Sequence, residues 1–139
     1  MTPKTLVPVA VLVLFFAVIL ILEHRMDGVP MGHEQTKQAV LVHLKLSNTK
    51  FGEGDEISIM QEFELELDRL VEQSNLGVVD GNEIGEGEYV IYIYGPNADR
   101  LFELIEPTLR ASPLTKNGWA IKRYGSIAAE NAREVRVEL

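Results

Sequence analysis

Oxygen-bearing side chains are concentrated over residues 80–88, in the run DGNEIGEGE. The run begins like a calcium-binding EF-hand loop, with Asp80 and Asn82 at its first and third positions. An EF-hand also needs an oxygen ligand at position five and a bidentate glutamate at position twelve, where this chain has Ile84 and Ile91. We therefore predict no metal site and interpret the run as a glycine-rich turn with solvated carboxylates. The residues of this acidic hairpin that could instead bind a basic partner are Asp80, Asn82, Glu83, Glu86 and Glu88.

No other residue pattern indicates catalysis. His33 and Glu34 begin a zinc-protease motif, but the position that needs the second histidine holds Lys37. The chain has no cysteine, three scattered histidines, and no serine within a nucleophile-elbow motif. Glu64 and Asp68 share a helix face, where acid pairs usually face water. We expect a non-enzymatic protein without a cofactor.

The alternation of side chains along the predicted strands indicates a more informative surface. In a strand, successive side chains point to opposite faces. The side chains predicted to face the helices are Val42, Leu44, Ile91, Ile93, Ile121, Val135 and Val137. Those predicted on the opposite face are His43, Lys45, Tyr92, Tyr94, Lys122, Tyr124 and Arg136. Such an aromatic and basic face suits an acidic peptide, another protein, a carbohydrate or a phosphorylated ligand. It could also be a solvated surface or the homodimer interface of the domain.

The elements that carry these residues follow from hydrophobic periodicity. Alternation predicts strands over 39–46, 76–79, 88–94, 119–124 and 133–139, with a turn over 80–86. Spacings of three and four predict two amphipathic helices, one containing Phe63 and Leu67 and the other Leu101 and Ile105. This order predicts an α+β fold, the ferredoxin-like split βαβ sandwich (βαββαβ) with one C-terminal strand added. Both helices would cover one face of an antiparallel sheet.

The amino-terminal region predicts a membrane location. Leu6–Leu22 contains no charged residue, and a helix of about 17 residues is roughly 25 Å long, close to the hydrocarbon thickness of a bilayer. The run is longer than the apolar core of a usual cleaved signal peptide, and no pair of small residues follows it. We therefore predict a transmembrane anchor over 1–23, a tether over 24–38 and a folded domain over 39–139. Lys4 precedes the helix, which favours a cytoplasmic amino terminus and a domain outside.

The charge balance restricts the partners. The formal net charge is −8, so the chain lacks the basic surface that supplies most affinity for nucleic acid. We expect a membrane-anchored domain that binds a ligand through its sheet face or acidic hairpin. Two alternatives remain: an immunity-type protein that neutralises a basic toxin, and a metal-dependent enzyme.

Three segments resemble a set of small uncharacterised bacterial proteins with a ferredoxin-like domain. They are Asp80–Glu83, Tyr92–Asp99 with Leu101 and Phe102, and Lys122–Gly125. The resemblance covers roughly the carboxyl-terminal two thirds of the chain and implies the fold but no activity. Those proteins are mostly soluble, so the apolar segment Leu6–Leu22 is a departure from them.

Overall fold

Five antiparallel strands form one sheet. The computed structural model describes residues 38–126 and 129–139. The strands are β1 Gln38–Lys45, β2 Val78–Gly85, β3 Glu88–Gly95, β4 Trp119–Tyr124 and β5 Arg133–Glu138. Their order across the sheet is β2-β3-β1-β4-β5, and every neighbouring pair is antiparallel. The first strand in sequence therefore lies at the centre, and β2 and β5 are the two edges.

Two helices connect the strands, and their ends have local causes. Helix α1, Glu56–Ser74, ends where Asn75 adopts a left-handed conformation with φ of 54°. Helix α2, Ala98–Ala111, begins where the Asn97 side chain accepts a hydrogen bond from the Arg100 backbone N–H at 3.0 Å. A short 3₁₀ turn over Pro113–Thr115 then leads into β4.

The core lies between the helices and one face of the sheet. Both helices contribute side chains to a single buried cluster together with alternate residues of β1 and β3. This arrangement confirms the predicted α+β class with an antiparallel sheet. The fully buried members of the cluster include Val40, Val42, Leu44, Leu67, Val71, Tyr89, Ile91, Ile93, Leu101, Ile105, Leu109 and Ala120. The opposite side of the sheet, which carries Leu41, His43, Tyr92 and Tyr94, is called the open face below.

The second strand is longer than the sequence predicts, and this corrects the acidic turn. The run assigned to a turn over 80–86 is mostly strand, because β2 continues to Gly85 with a bulge between Val79 and Gly81. The reversal is a two-residue loop, with Glu86 at φ 53° and Gly87 at φ 80°. Two positive φ values are the geometry of a type I′ hairpin, whose twist matches that of the strands. The glycines and acids misled the prediction because they are rare in strands.

The predicted membrane anchor at Leu6–Leu22 and most of the predicted tether lie outside the described residues. Among the helices of the described part, none is both long and apolar enough to cross a membrane.

Candidate functional site

Strand register decides which predicted residues share the open face. Val42 and Leu44 of β1 are completely buried in the core, so the alternate residues His43 and Lys45 lie on the open face. On β3 the core residues are Tyr89, Ile91 and Ile93. Tyr92 and Tyr94 therefore lie on the open face, half-buried.

The fourth strand has the opposite phase to the predicted one. Ala120 is completely buried and pairs with Val42, whereas Ile121 pairs with Leu41 on the open face. Residues two apart share a face, so Lys122 and Tyr124 lie on the helix side. Their predicted place on the open face is therefore wrong.

Lys122 and Tyr124 instead bind the start of α2. Lys122 Nζ donates to Asp99 Oδ1 at 2.6 Å, and the Tyr124 hydroxyl donates to the same oxygen at 2.7 Å. The hydrogen bond from Lys122, aided by that from Tyr124, lowers the pKa of Asp99, and the same contact raises the pKa of Lys122. A carboxylate in the first turn of a helix also interacts favourably with the helix dipole. These two residues therefore have a structural role in attaching α2 to the sheet.

Trp119, the first residue of β4, contacts three other side chains of the open face and was not among the predicted site residues. Its ring stacks on the His43 imidazole, with ring centroids 4.8 Å apart and planes inclined by 13°. Arg136 Cζ lies 3.9 Å from the Trp119 ring centroid and Lys45 Nζ lies 4.6 Å from it. Because β4 lies between β1 and β5, the indole is flanked by His43 from one neighbouring strand and Arg136 from the other. No signal in the sequence identifies Trp119 as a site residue, because the alternation that placed Ile121 on the helix side would place Trp119 there too.

Carboxylates balance the cations of this face. Glu88 accepts hydrogen bonds from Lys45 Nζ at 2.7 Å and His43 Nδ1 at 2.9 Å. Burial alone would raise the pKa of Glu88, but these two hydrogen bonds outweigh it and hold the pKa below its ordinary value. Arg136 Nε donates to Glu138 Oε1 at 2.5 Å, which lowers the pKa of Glu138. The expectation of a basic face is therefore wrong, because acids on neighbouring positions pair with its cations.

The two tyrosines form the other half of the face. The Tyr92 hydroxyl donates to Glu83 Oε2 at 2.8 Å. Burial, and then the Glu83 carboxylate, raise the pKa of Tyr92 to about 12. Burial, followed by the charge of Asp80, also raises the pKa of Tyr94, whose hydroxyl makes no hydrogen bond within the described part of the chain. Both phenols therefore stay protonated at neutral pH, and that of Tyr94 remains available to a ligand.

The five residues of the predicted acidic hairpin do not converge on one point. Asn82 faces the helices and donates to Glu64 Oε2 at 2.7 Å, whereas Glu83 and Glu88 bond to open-face residues. Asp80 lies at the bulge and Glu86 in the turn. Over residues 38–126 and 129–139, no three acidic or histidine side chains are grouped so that they could hold a metal ion. The hairpin therefore presents four separate carboxylates, of which Glu83 and Glu88 are hydrogen-bonded.

A second surface lies on the helix side of the domain. An open groove of about 640 Å³ runs between α1 and the turn before β4. Its lining includes Phe63 and Leu114, with Glu62, Glu66 and Arg69 also along it. Two large apolar side chains of α1 are exposed there, Ile59 and Leu65, the latter to 52%. This surface combines apolar and acidic groups.

Comparison with protein-family models, with curated proteins and with solved structures found no match for this chain. The resemblance to small bacterial proteins therefore stays a prediction, and the function has to be argued from the geometry of the chain itself.

Proposed function

We propose that the chain is a non-enzymatic, membrane-anchored protein whose ferredoxin-like domain binds another protein through its open face. The single observation that supports the proposal is that Trp119, Tyr92, Tyr94 and Arg136 share one sheet face that no described helix covers. Tryptophan, tyrosine and arginine are the residues most enriched among those that dominate binding energy at protein interfaces. The element order and the strand order β2-β3-β1-β4 support the ferredoxin-like architecture, with β5 as an added edge.

The pairing of charges favours a protein ligand over a highly charged one. Lys45 and Arg136 already have carboxylate partners, so a polyanion would have to displace Glu88 and Glu138. A protein surface can contact the aromatic rings and accept a hydrogen bond from the free Tyr94 hydroxyl without breaking either ion pair. Interfaces of this kind combine apolar contact with about one hydrogen bond per 100–200 Å².

Site-specific photocrosslinking in cells tests the open face. A benzophenone amino acid in place of Tyr94 is expected to form an adduct with a defined protein, while the same group in place of Leu65 on α1 forms none. Position 65 is the control because Leu65 is a large, exposed side chain on the helix side of the domain. Once the partner is identified, Arg136→Ala is expected to weaken binding at least about tenfold. The control is Arg100→Ala, which changes an exposed residue of α2 and is expected to leave binding unchanged. Full binding by a folded Arg136→Ala variant would contradict the proposal.

The membrane anchor and its orientation are part of the same proposal. The apolar run Leu6–Leu22 and the position of Lys4 before it support a single span with the amino terminus in the cytoplasm. Two fusions at Leu139 test this: a phosphatase that is active only outside the cytoplasm and a fluorescent protein that matures only inside. We expect phosphatase activity from a full-length, membrane-bound product. Fluorescence instead would reverse the orientation.

The surface of α1 supports one alternative, an immunity-type protein that neutralises a basic toxin. The helix exposes Glu62, Glu66 and Glu72 beside the apolar Leu65, a combination that suits a basic and partly apolar partner. The photocrosslinking experiment separates the two functions. An adduct with a basic protein at position 65 but none at position 94 would favour neutralisation and contradict binding at the open face.

A further inference from the structure

The outer edge of β5 has free backbone hydrogen-bonding groups. The Leu139 N–H donates to the Gly118 carbonyl at 3.2 Å, and hydrogen-bonded pairs alternate along an antiparallel ladder. Val137 and Val135 therefore bond to β4, whereas the N–H and C=O groups of Glu134 and Arg136 point away from it. No strand of the described residues pairs with this edge. The edge can accept another strand.

The two edges of the sheet differ in a way that favours pairing at β5. The edge strand β2 is interrupted by the bulge between Val79 and Gly81, and bulges are a common means of blocking edge pairing. In contrast, β5 has no bulge, proline or glycine, and its pairing with β4 is regular over its whole length. A regular edge opposite a blocked one is expected where only one edge is used for association.

The charge pattern of β5 is complementary to itself in two antiparallel registers, centred on Val135 and on Val137. The second register would need the Glu138 carbonyl, which already accepts a hydrogen bond from Arg110 Nη1 at 3.4 Å, so the first is favoured. We propose that two copies of this chain pair through β5, antiparallel, with Val135 on the twofold axis. With Val135 on the axis, Glu134 of each copy lies directly opposite Arg136 of the other, so two pairs of opposite charge form. Their free backbone groups also face each other, which gives four interstrand N–H···O bonds. The two neighbouring registers that also bring outward-pointing backbone groups together would place like charges opposite each other. Centring on Glu134 sets Glu134 opposite itself, and centring on Arg136 sets Arg136 opposite itself and Glu134 opposite Glu138.

This dimer goes beyond the proposed binding function, and the two share Arg136, whose side chain lies on the open face and also faces Glu134 of the second copy. Edge pairing joins the two sheets into one continuous sheet of ten strands and covers neither open face. The open faces then lie side by side, with a Trp119 cluster on each side of the axis. A twofold interface uses the same edge of both copies. The outer edges of the joined sheet are then the two bulged β2 strands, so association stops at a dimer.

Single cysteines test the register, because the chain contains no cysteine of its own. Val135 would face Val135 of the second copy in a non-hydrogen-bonded pair, with Cα atoms about 4.5 Å apart, a separation that a disulfide can bridge. Val137 would face Arg133, so its two copies would lie roughly 14 Å apart. In the purified full-length chain under mild oxidation, Val135→Cys is expected to give a disulfide-linked dimer as its main product. Val137→Cys, the same substitution on the same face of the same strand, is expected to give at least tenfold less.

Charge reversal provides an independent test in the same background. Glu134→Arg, combined with Val135→Cys, is expected to reduce the crosslinked dimer at least fivefold, because the new arginine would face Arg136. Adding Arg136→Glu is expected to restore it. Circular dichroism and thermal unfolding establish that each variant is folded. Equal crosslinking of the two cysteine variants, absence of crosslinking by folded Val135→Cys, or failure of the double charge reversal to restore it would each overturn the proposed pairing. A strand from a different protein on this edge would give the second of these results.

Discussion

Trp119 connects three strands of the open face through its ring. The His43 ring stacks on it at 4.8 Å, and the Arg136 guanidinium carbon lies 3.9 Å from the ring centroid. Aromatic stacking and a cation over an indole ring each contribute about 0.5–1.5 kcal/mol. The arrangement fixes the orientation of these side chains before any partner binds. A partner would therefore meet a preorganised surface, which reduces the entropy lost on association.

At the same scale, Glu88 predicts a pH-dependent contribution to stability. Glu88→Gln is expected to lower the free energy of unfolding by about 1–2 kcal/mol at pH 7, because it removes a charged acceptor shared by Lys45 and His43. The folded pKa of Glu88 lies below its ordinary value of 4.5. The contribution is therefore present above the unfolded pKa and is lost as the pH falls through the folded one. Urea unfolding at pH 7 and pH 3 measures the difference between wild type and variant at each pH.

The expected result is a difference between wild type and variant that is smaller at pH 3 than at pH 7. Glu103→Gln, on the exposed face of α2, is the control and should change the free energy of unfolding by less than about 0.5 kcal/mol. A Glu88→Gln variant as stable as the wild type at pH 7 would show that these hydrogen bonds contribute nothing.

At the scale of elements, the end of β3 passes very close to the segment that enters β2. A Cβ on Gly95 would lie 2.3 Å from the Leu76 carbonyl oxygen, and one on Gly77 would lie 2.3 Å from the Tyr94 carbonyl oxygen. These contacts are to backbone atoms, which cannot move aside as a flexible side chain can. The two glycines therefore allow the hairpin to close against α2.

Gly95→Ala is expected to destabilise the domain by about 1–3 kcal/mol, because the added methyl group forces these two backbone segments apart. Gly85→Ala is the matched control, since a Cβ at Gly85 meets nothing within 4 Å. Chemical denaturation of both variants tests the prediction. Equal stability of the two would mean that the approach of the segments is not tight in solution.

Most elements follow from hydrophobic period alone, and the exceptions have physical reasons. The strand of alternating valine and leucine at β1 and the three- and four-residue spacing in α1 were predicted correctly, because each period dominates its segment. The phase of β4 was not, because the run Trp119–Tyr124 has apolar side chains on both faces. The larger Ile121 was assigned to the core, whereas the smaller Ala120 occupies it. A strand whose two faces are both partly apolar does not indicate which face is buried.

The prediction of the site residues also depended on which face of each strand is buried. His43, Lys45, Tyr92 and Tyr94 belong to strands with clear alternation, and they were placed on the correct face of the sheet. Trp119 could not be recognised, because its role comes from residues on two other strands. The pairing of each cation with a carboxylate also depends on the register between neighbouring strands, which cannot be read from a single sequence.

Over the whole molecule, charge is distributed unevenly. The formal net charge is −8, yet the cations of the open face are paired with acids. Within residues 38–126 and 129–139, the acidic side chains of α1 form no ion pair. Glu62 and Glu66 lie one turn apart on that helix and are both exposed. Like charges at this spacing repel each other and lower helix stability.

Glu62→Lys is expected to raise the free energy of unfolding by about 0.3–0.5 kcal/mol at low salt, because it replaces this repulsion by attraction. Glu62→Gln removes the repulsion without adding attraction, so it should give a smaller gain. Both gains should decrease in about 1 M NaCl, where the screening length is about 3 Å. Thermal or urea unfolding at two salt concentrations measures them. A gain that is independent of salt would point to a non-electrostatic cause.

The central position of β1 has a consequence for how the chain is made. Its pairing partners are far along the sequence, since Gln38 pairs with Gly95 and Ala39 with Arg123. At usual rates of synthesis, β1 is translated roughly 4–17 seconds before β4. In the first part of this interval, before β3 has been made, its apolar side chains have no neighbouring strand to pair with. The sheet is completed only after the last strands have been made, so the partly synthesised domain exposes apolar side chains of β1 that the finished domain buries.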